Sequence, residues 1–168
     1  EGPATKDFLV TLQHGENYEY RQNALAIHAK KGEWVSFTGE YTAKDKDDSH
    51  AFDSNNIHIF VETGWTAEQD ATNDRMSYYL DDFSVTAPSD NMVSDSSFKE
   101  GLGPWVPFEG DAKIVRVTPG YGGADDGCLK SSERTENWHG PSIVFGDKTT
   151  PGTTHTIKAR IKYDPDKT

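Results

Sequence analysis

The run T-H-T-I-K-A-R-I-K-Y, residues Thr154–Tyr163, sets apolar and charged side chains in strict alternation from Ile157 onward. Ile157, Ala159 and Ile161 fall on one face, and Lys158, Arg160 and Lys162 on the other. That two-residue period belongs to a strand with one side in a core and one in water. The period recurs upstream. Asp7–Gln13 places Phe8, Val10 and Leu12 together, and Trp34–Thr42 places Val35, Phe37 and Tyr41 together. Further strands are expected around Asn23–Ala29, Met76–Val85, Met92–Phe98, Asp111–Thr118, Cys128–Ser132 and Ser142–Phe145. No segment keeps a helical period over three turns. Short strands at regular spacing, separated by turn residues, define an antiparallel β-sandwich of jelly-roll type.

Composition agrees. The chain has 168 residues, enough for one sizeable core, with four Trp, seven Tyr and eight Phe supplying much of the burial and fifteen Gly and eight Pro marking turns. The net charge of −11, from 28 acidic against 17 basic residues, repels phosphate backbones and anionic lipid surfaces. Nucleic acid and membrane are therefore not expected partners, and no apolar run is long enough for a membrane helix. Cys128 is the only cysteine, which excludes an intrachain disulfide and a cysteine-based zinc site. The polar, acidic stretch 43–56 lacks the glycine and terminal glutamate of an EF-hand loop and reads as a solvated loop.

Two stretches carry chemistry. Ile57–Glu62 (I-H-I-F-V-E) turns Ile57, Ile59 and Val61 to one face and His58, Phe60 and Glu62 to the other, so one side joins the core while the second offers polar groups. Glu133–Ser142 (E-R-T-E-N-W-H-G-P-S) sets Trp138 among Arg134, Thr135, Asn137 and His139 at the mouth of a strand. An aromatic ringed by donors and acceptors suits a flat ligand with polar edges and apolar faces, such as a sugar. Taken alone, a Trp at a strand edge is more often a core or lid residue than a ligand platform. Within Met76–Val85 the pair Asp81-Asp82 must be exposed, ion-paired or bound to a cation, because a buried unpaired carboxylate is costly.

Several pieces together resemble one family. Phe98–Trp105 (F-K-E-G-L-G-P-W), Arg134–Ser142 and Pro151-Gly-Thr-Thr-His-Thr resemble the first half of a family 22 carbohydrate-binding module, the xylan-binding type. Lys31-Gly-Glu-Trp34, Thr38-Gly-Glu-Tyr41, Ile59-Phe-Val-Glu62 and Tyr78-Tyr-Leu-Asp-Asp-Phe83 resemble its second half. The order is inverted: residues 1–86 match the second half, 87–91 form a polar connector, and 92–168 match the first. A single circularly permuted module over 1–168 is the simplest account. A slice through tandem modules and a domain-swapped dimer are the other two, so the chain is expected as a monomer or a swapped dimer.

The resemblance implies non-catalytic binding of β-linked polysaccharide, xylan or mixed-linkage β-glucan. It implies a covalently linked catalytic domain of a secreted, extracellular enzyme such as a xylanase. It assigns Trp138 as stacking platform, Glu62 as hydrogen-bonding carboxylate, Tyr20 as second aromatic, and Arg134 and Asn137 as polar flanks. Trp65 is expected as a cleft wall, with a loop lid as the alternative, and Trp34 and Trp105 in the core or its rim. The family often has an arginine where this chain has Phe108. A structural calcium is implied as well, with Asp81 and Glu100 as ligands. A stabilising module without sugar binding is the alternative function. A small glycosidase pairing Glu62 with Asp81 or Glu136 is a weaker one.

Overall fold

The computed structural model describes residues 4–14, 20–43, 57–64, 74–87, 90–93, 97–110, 112–144 and 149–164. The alternating runs become strands in the places their periods require: β1 (Thr5–His14), β2 (Tyr20–Lys30), β3 (Val35–Thr42), β4 (Ile57–Thr63) and β5 (Tyr78–Ala87). The second half adds the short β6 (Asp90–Asn91) and β7 (Val106–Pro107), then β8 (Lys113–Val117), β9 (Cys128–Ser132), β10 (Pro141–Val144) and β11 (Thr154–Tyr163). No helix occurs among the described residues.

The strands form two antiparallel sheets, in the orders β2-β1-β4-β10-β7 and β3-β11-β5-β9-β8, with β6 paired to β5. The protein is an all-β sandwich. Its core sits where the alternation sends it: Phe8, Val10 and Leu12 of β1, Ile57, Ile59 and Val61 of β4, and Ile157, Ala159 and Ile161 of β11 are all buried. Trp105 is buried in the same core, edge-on to Phe83 at 4.9 Å, whereas Trp34 lies on the rim, edge-on to Tyr121.

Both sheets contain strands from both parts of the chain. β10 of the second part pairs with β4 of the first, and β11 lies between β3 and β5. The described ends also meet. The Lys31 amide donates to the Ala4 carbonyl and the next amide, Gly32, donates to the Tyr163 carbonyl, both at 3.0 Å. Gly32 makes this possible with a positive φ of 75°, a region open to glycine without strain.

Three expectations change. Of the expected Met92–Phe98 strand, 94–96 lie outside the described residues, and Met92, Val93, Ser97 and Phe98 are not in a strand, Phe98 taking a positive φ of 53°; the short β6 ends just before Met92. The polar connector is not free at its described residues: Asn91 pairs with Thr86 and Asp90 with Ala87. The stretch after Trp105, where no strand is expected from the sequence, holds β7, whose Pro107 sits at a sheet edge, where a missing N–H costs no ladder bond.

The Asp81-Asp82 pair is resolved by an irregularity in the β5–β11 register between Lys158 and Arg160. Asp82 takes a positive φ of 47° and meets Arg160 Nε at 2.7 Å, while Asp81 turns inward.

Candidate functional site

The outer face of the five-stranded sheet is built in rows, because residues opposite one another in antiparallel strands share a face. Phe60 stands opposite Thr11 on one side and Ser142 on the other, and Ser142 opposite Val106. His58 stands opposite Gln13 and Val144, and Glu62 opposite Leu9. The face is thus polar along β1 and β4 and apolar at its β10–β7 margin, where Val106 and Val144 are each 50% exposed.

Phe108 folds over this face and stacks on Phe60, rings 4.0 Å apart and nearly parallel, with His58 edge-on at 6.0 Å. An aromatic therefore fills the place where the resemblance expects an arginine. Burial lowers the His58 pKa, so the imidazole is neutral at neutral pH. Thr11, Gln13, Glu62 and Ser142 are all buried on the face, and Thr11 Oγ1 donates to Glu62 Oε1. Gln13 Oε1 and Ser142 Oγ find no hydrogen-bond partner among the described residues. Buried polar atoms of this kind normally have partners, so an acceptor and a hydroxyl left open on one face point to a polar ligand or water.

The loop carrying Trp138 is fastened to the end of this face. Asn137 O accepts from the Thr63 amide at 3.1 Å, and Asn137 Nδ2 donates to Thr63 O at 3.1 Å. Trp138 therefore follows a residue pinned one step beyond Glu62. It is partly exposed, with His139 edge-on at 5.7 Å. The two halves of the chain do bring Trp138 and Glu62 to the same end of the same sheet.

Arg134, expected as a polar flank, is turned into the protein. It is buried, and all five of its N–H groups point into the protein. Nε donates to His139 O, Nη1 to Asp74 O and Met76 O, and Nη2 to Thr63 Oγ1 and Asn137 O. Its guanidinium lies 5.0 Å from the centre of the Tyr78 ring, and Tyr78 Oη donates to Val61 O at 2.6 Å. Burial lowers the Arg134 pKa, opposed by Tyr78 and by the negative charges of Glu62 and Asp74. Asp74 is held in turn by the buried Lys6 ammonium at 2.5 Å. Arg134 is thus a clamp that closes the Trp138 loop on β4, and the buried Asn137 side chain helps it.

Gly140 shows how tight the clamp is. A Cβ there would fall well inside van der Waals contact of Val61 O and Tyr78 Oη, which explains the glycine in the W-H-G-P-S segment. Gly140→Ala is expected to destabilise by about 1–3 kcal/mol through forced backbone shifts. Thermal melting checks this, and an unchanged melting temperature would contradict it.

The other expected residues are placed differently. Tyr20 opens β2 opposite His14, and its side chain lies outside the described part of the structure, as does the whole of Trp65. Glu100 is exposed in the turn after Phe98. Asp81 is buried, its Oδ1 accepting from the Asp82 amide at 2.8 Å and its Oδ2 from the Tyr121 amide at 2.7 Å. Arg116 Nε takes the Phe98 carbonyl at 2.6 Å. Calcium needs six or more oxygens, and no three His, Cys, Asp or Glu side chains gather to hold a metal among the described residues. The described side chains do not by themselves build a calcium shell.

Burial pushes the Asp81 carboxyl up to about 6, against the pull of the Tyr121 and Asp82 amides, and Asp126 and Asp82 push it further. An acid that holds its proton more tightly when folded stabilises the fold in its protonated form. That share is complete below the ordinary carboxylate range and is lost as pH rises through about 6. In EDTA, lowering pH from neutral toward 5 should therefore raise the melting temperature of the native chain relative to Asp81→Asn. Parallel pH profiles would contradict this. A calcium-dependent rise in melting temperature that Asp81→Asn abolishes would place the ion at this carboxyl.

The fold and the site define a two-sheet sandwich whose polar, aromatic-edged face is assembled from both halves of the chain. Residues 90–168, just under half of the chain, match the family model described as a carbohydrate binding domain. The chain is similar to endo-1,4-beta-xylanase A of Thermoanaerobacterium saccharolyticum, 24% identical over 199 aligned positions that cover 97% of this chain and 16% of that enzyme. It is also similar to endo-1,4-beta-xylanase A of Thermotoga neapolitana, 29% identical over 87 positions covering 50% of this chain and 8% of the enzyme. The chain thus spans less than a fifth of either relative. No solved structure matches it. These likenesses support a carbohydrate-binding module.

Proposed function

We propose that this chain is a non-catalytic module that binds β-linked plant cell-wall polysaccharide, most of all xylan or xylo-oligosaccharides, and tethers a glycoside hydrolase to it outside the cell. The observation that supports this is the docking of the Trp138 loop onto β4 beside Glu62, at the end of a face with buried polar groups. A pyranose ring has an apolar C–H face to lay on Trp138 and hydroxyls for Glu62, Gln13 and Ser142. Sugar hydroxyls give up water to bind, so affinity for a short oligosaccharide is modest, roughly −4 to −7 kcal/mol. Tethering then supplies the gain, by raising the local concentration of the attached enzyme on its substrate.

A glycosidase would need two carboxylates flanking one bond. Glu62 and Asp81 stand in different sheets, which removes that pair, and Glu136 is the remaining partner on the Trp138 loop. The order of the chain is read as a permuted single module, supported by the meeting of Ala4 and Tyr163 at consecutive amides and by the mixing of the two halves in both sheets. Light scattering on the purified chain tests it: a monomer is expected, and a dimer would favour exchange of halves between chains.

Affinity electrophoresis in gels containing xylan or mixed-linkage β-glucan tests the function. Retardation by xylan with no release of reducing sugar is expected. Unretarded migration would support a purely stabilising module, and sugar release abolished by Glu62→Gln would support an enzyme.

A further inference from the structure

The opposite side of the sandwich carries a hollow of about 310 Å³ on the outer face of the six-stranded sheet, lined by Trp34, Tyr79, Pro119, Lys130, Lys162 and Asp164 among others. Tyr79 is the register partner of Lys130 on β9 and of Lys162 on β11. The three side chains therefore stand in one row on one face, a phenol between two ammonium groups. Strand spacing sets the two lysine Cα atoms roughly 10 Å apart. Neither lysine forms an ion pair with a carboxylate among the described residues. Two like charges flanking one ring repel each other, and an anion between them removes that repulsion.

Trp34 forms one wall of the hollow. Its indole is partly buried and held edge-on by Tyr121 at 6.3 Å, and the Tyr121 ring carries the Arg160 guanidinium 3.7 Å from its centre. The platform is thus fixed from behind by an ordered stack that continues to Asp82 and Ser36 through Arg160. A cationic hollow with a fixed aromatic wall departs from the rest of a chain whose net charge is −11.

The geometry points to a second ligand site in this hollow, for an anionic sugar residue: a uronic acid carried on a polysaccharide, its carboxylate between Lys130 and Lys162 and its ring against Trp34. A phosphate or sulfate ion would answer the lysines but leave the indole unused. A uronic acid uses every group: the carboxylate meets the ammonium pair, the C–H face meets the indole, and hydroxyls meet the polar wall. The site shares with the proposed function only the premise that the ligand is a glycan, and it lies on the other sheet from Trp138.

The test uses the intact chain, glucuronoxylan, and the same polymer after chemical reduction of its carboxyl groups. Retardation in affinity gels is measured against polymer-free gels for the native chain, Trp138→Ala, and Trp138→Ala combined with Lys130→Met and Lys162→Met. With the first face disabled by Trp138→Ala, retardation by glucuronoxylan is expected to persist and to fall on the carboxyl-reduced polymer. The lysine substitutions are expected to weaken it about tenfold, the effect of losing charge-assisted contacts. Melting curves check that the lysine variant is folded, and Trp34→Ala in the Trp138→Ala background gives a second, charge-preserving probe that should also lose retention. Equal retention of Trp138→Ala on native and reduced polymer, or retention untouched by the lysine and Trp34 substitutions, overturns the second site. Complete loss of retention in Trp138→Ala alone overturns it too, while leaving the Trp138 face standing. If Trp138→Ala still binds neutral xylan fully, the proposed function fails separately.

Discussion

Arg134→Met should cost about 3–5 kcal/mol of folding stability, the loss seen when one member of a buried charged network is removed. Methionine replaces much of the volume but none of the five donors. Four backbone carbonyls, those of Asp74, Met76, Asn137 and His139, would lose a charged N–H, and Thr63 Oγ1 a fifth. The negative charges of Glu62 and Asp74 would also lose a counter-charge that acts on both. Because the acceptors come from the 74–76 segment, β4 and the Trp138 loop, the damage is to the joint between the two halves of the chain. Lysine should not rescue it, since one ammonium cannot address five acceptors set around a planar fork. Urea unfolding measures the loss, and a change under about 1 kcal/mol would show that the clamp is weaker than its geometry implies.

Trp138→Ala should behave in the opposite way, sparing the fold and weakening binding of neutral xylan at its own face. Trp138 is partly exposed and its loop is held by its neighbours Arg134 and Asn137, so melting should shift little. The ring supplies the apolar platform, and aromatic anchors of this kind carry about 2–4 kcal/mol of binding when truncated. Xylo-oligosaccharide affinity should then fall by roughly thirty- to a thousandfold. Glu62→Gln should cost less, because an amide retains one acceptor and Thr11 stays to pair with it.

The contrast between Arg134 and Trp138 also shows what the sequence could and could not reveal. Both stand four residues apart in one polar segment, and composition gives each the look of a ligand contact. Alternation was legible because it is local: the faces of β1, β4 and β11 follow from a period of two and nothing else. Whether an arginine points to solvent or inward depends on which carbonyls surround it, and two of the four here, those of Asp74 and Met76, arrive from residues about 60 positions away. The buried Lys6–Asp74 pair was invisible for the same reason, since its members are 68 positions apart.

Face membership on the site was half legible. The period of I-H-I-F-V-E put His58, Phe60 and Glu62 on the second side, yet it could not show that Phe108 would fold back and cover Phe60. Gln13 and Ser142 went unnoticed, although their signal was present: each sits on the polar side of an alternating run beside β4. Pairing between strands, which decides that they are neighbours, is a long-range property. The irregular β5–β11 register that separates the fates of Asp81 and Asp82 is another, and alternation alone would have sent one of the pair inward without saying what receives it.

The central claim is that the Trp138 and Glu62 face binds xylan. Titration of the native chain with xylohexaose, followed by intrinsic tryptophan fluorescence and repeated on folded Trp138→Ala, tests it most directly. A saturable signal in the native chain that disappears in the variant, together with its heat of binding in calorimetry, is the expected result. No saturable response in the native chain, or the same affinity in Trp138→Ala, would contradict it.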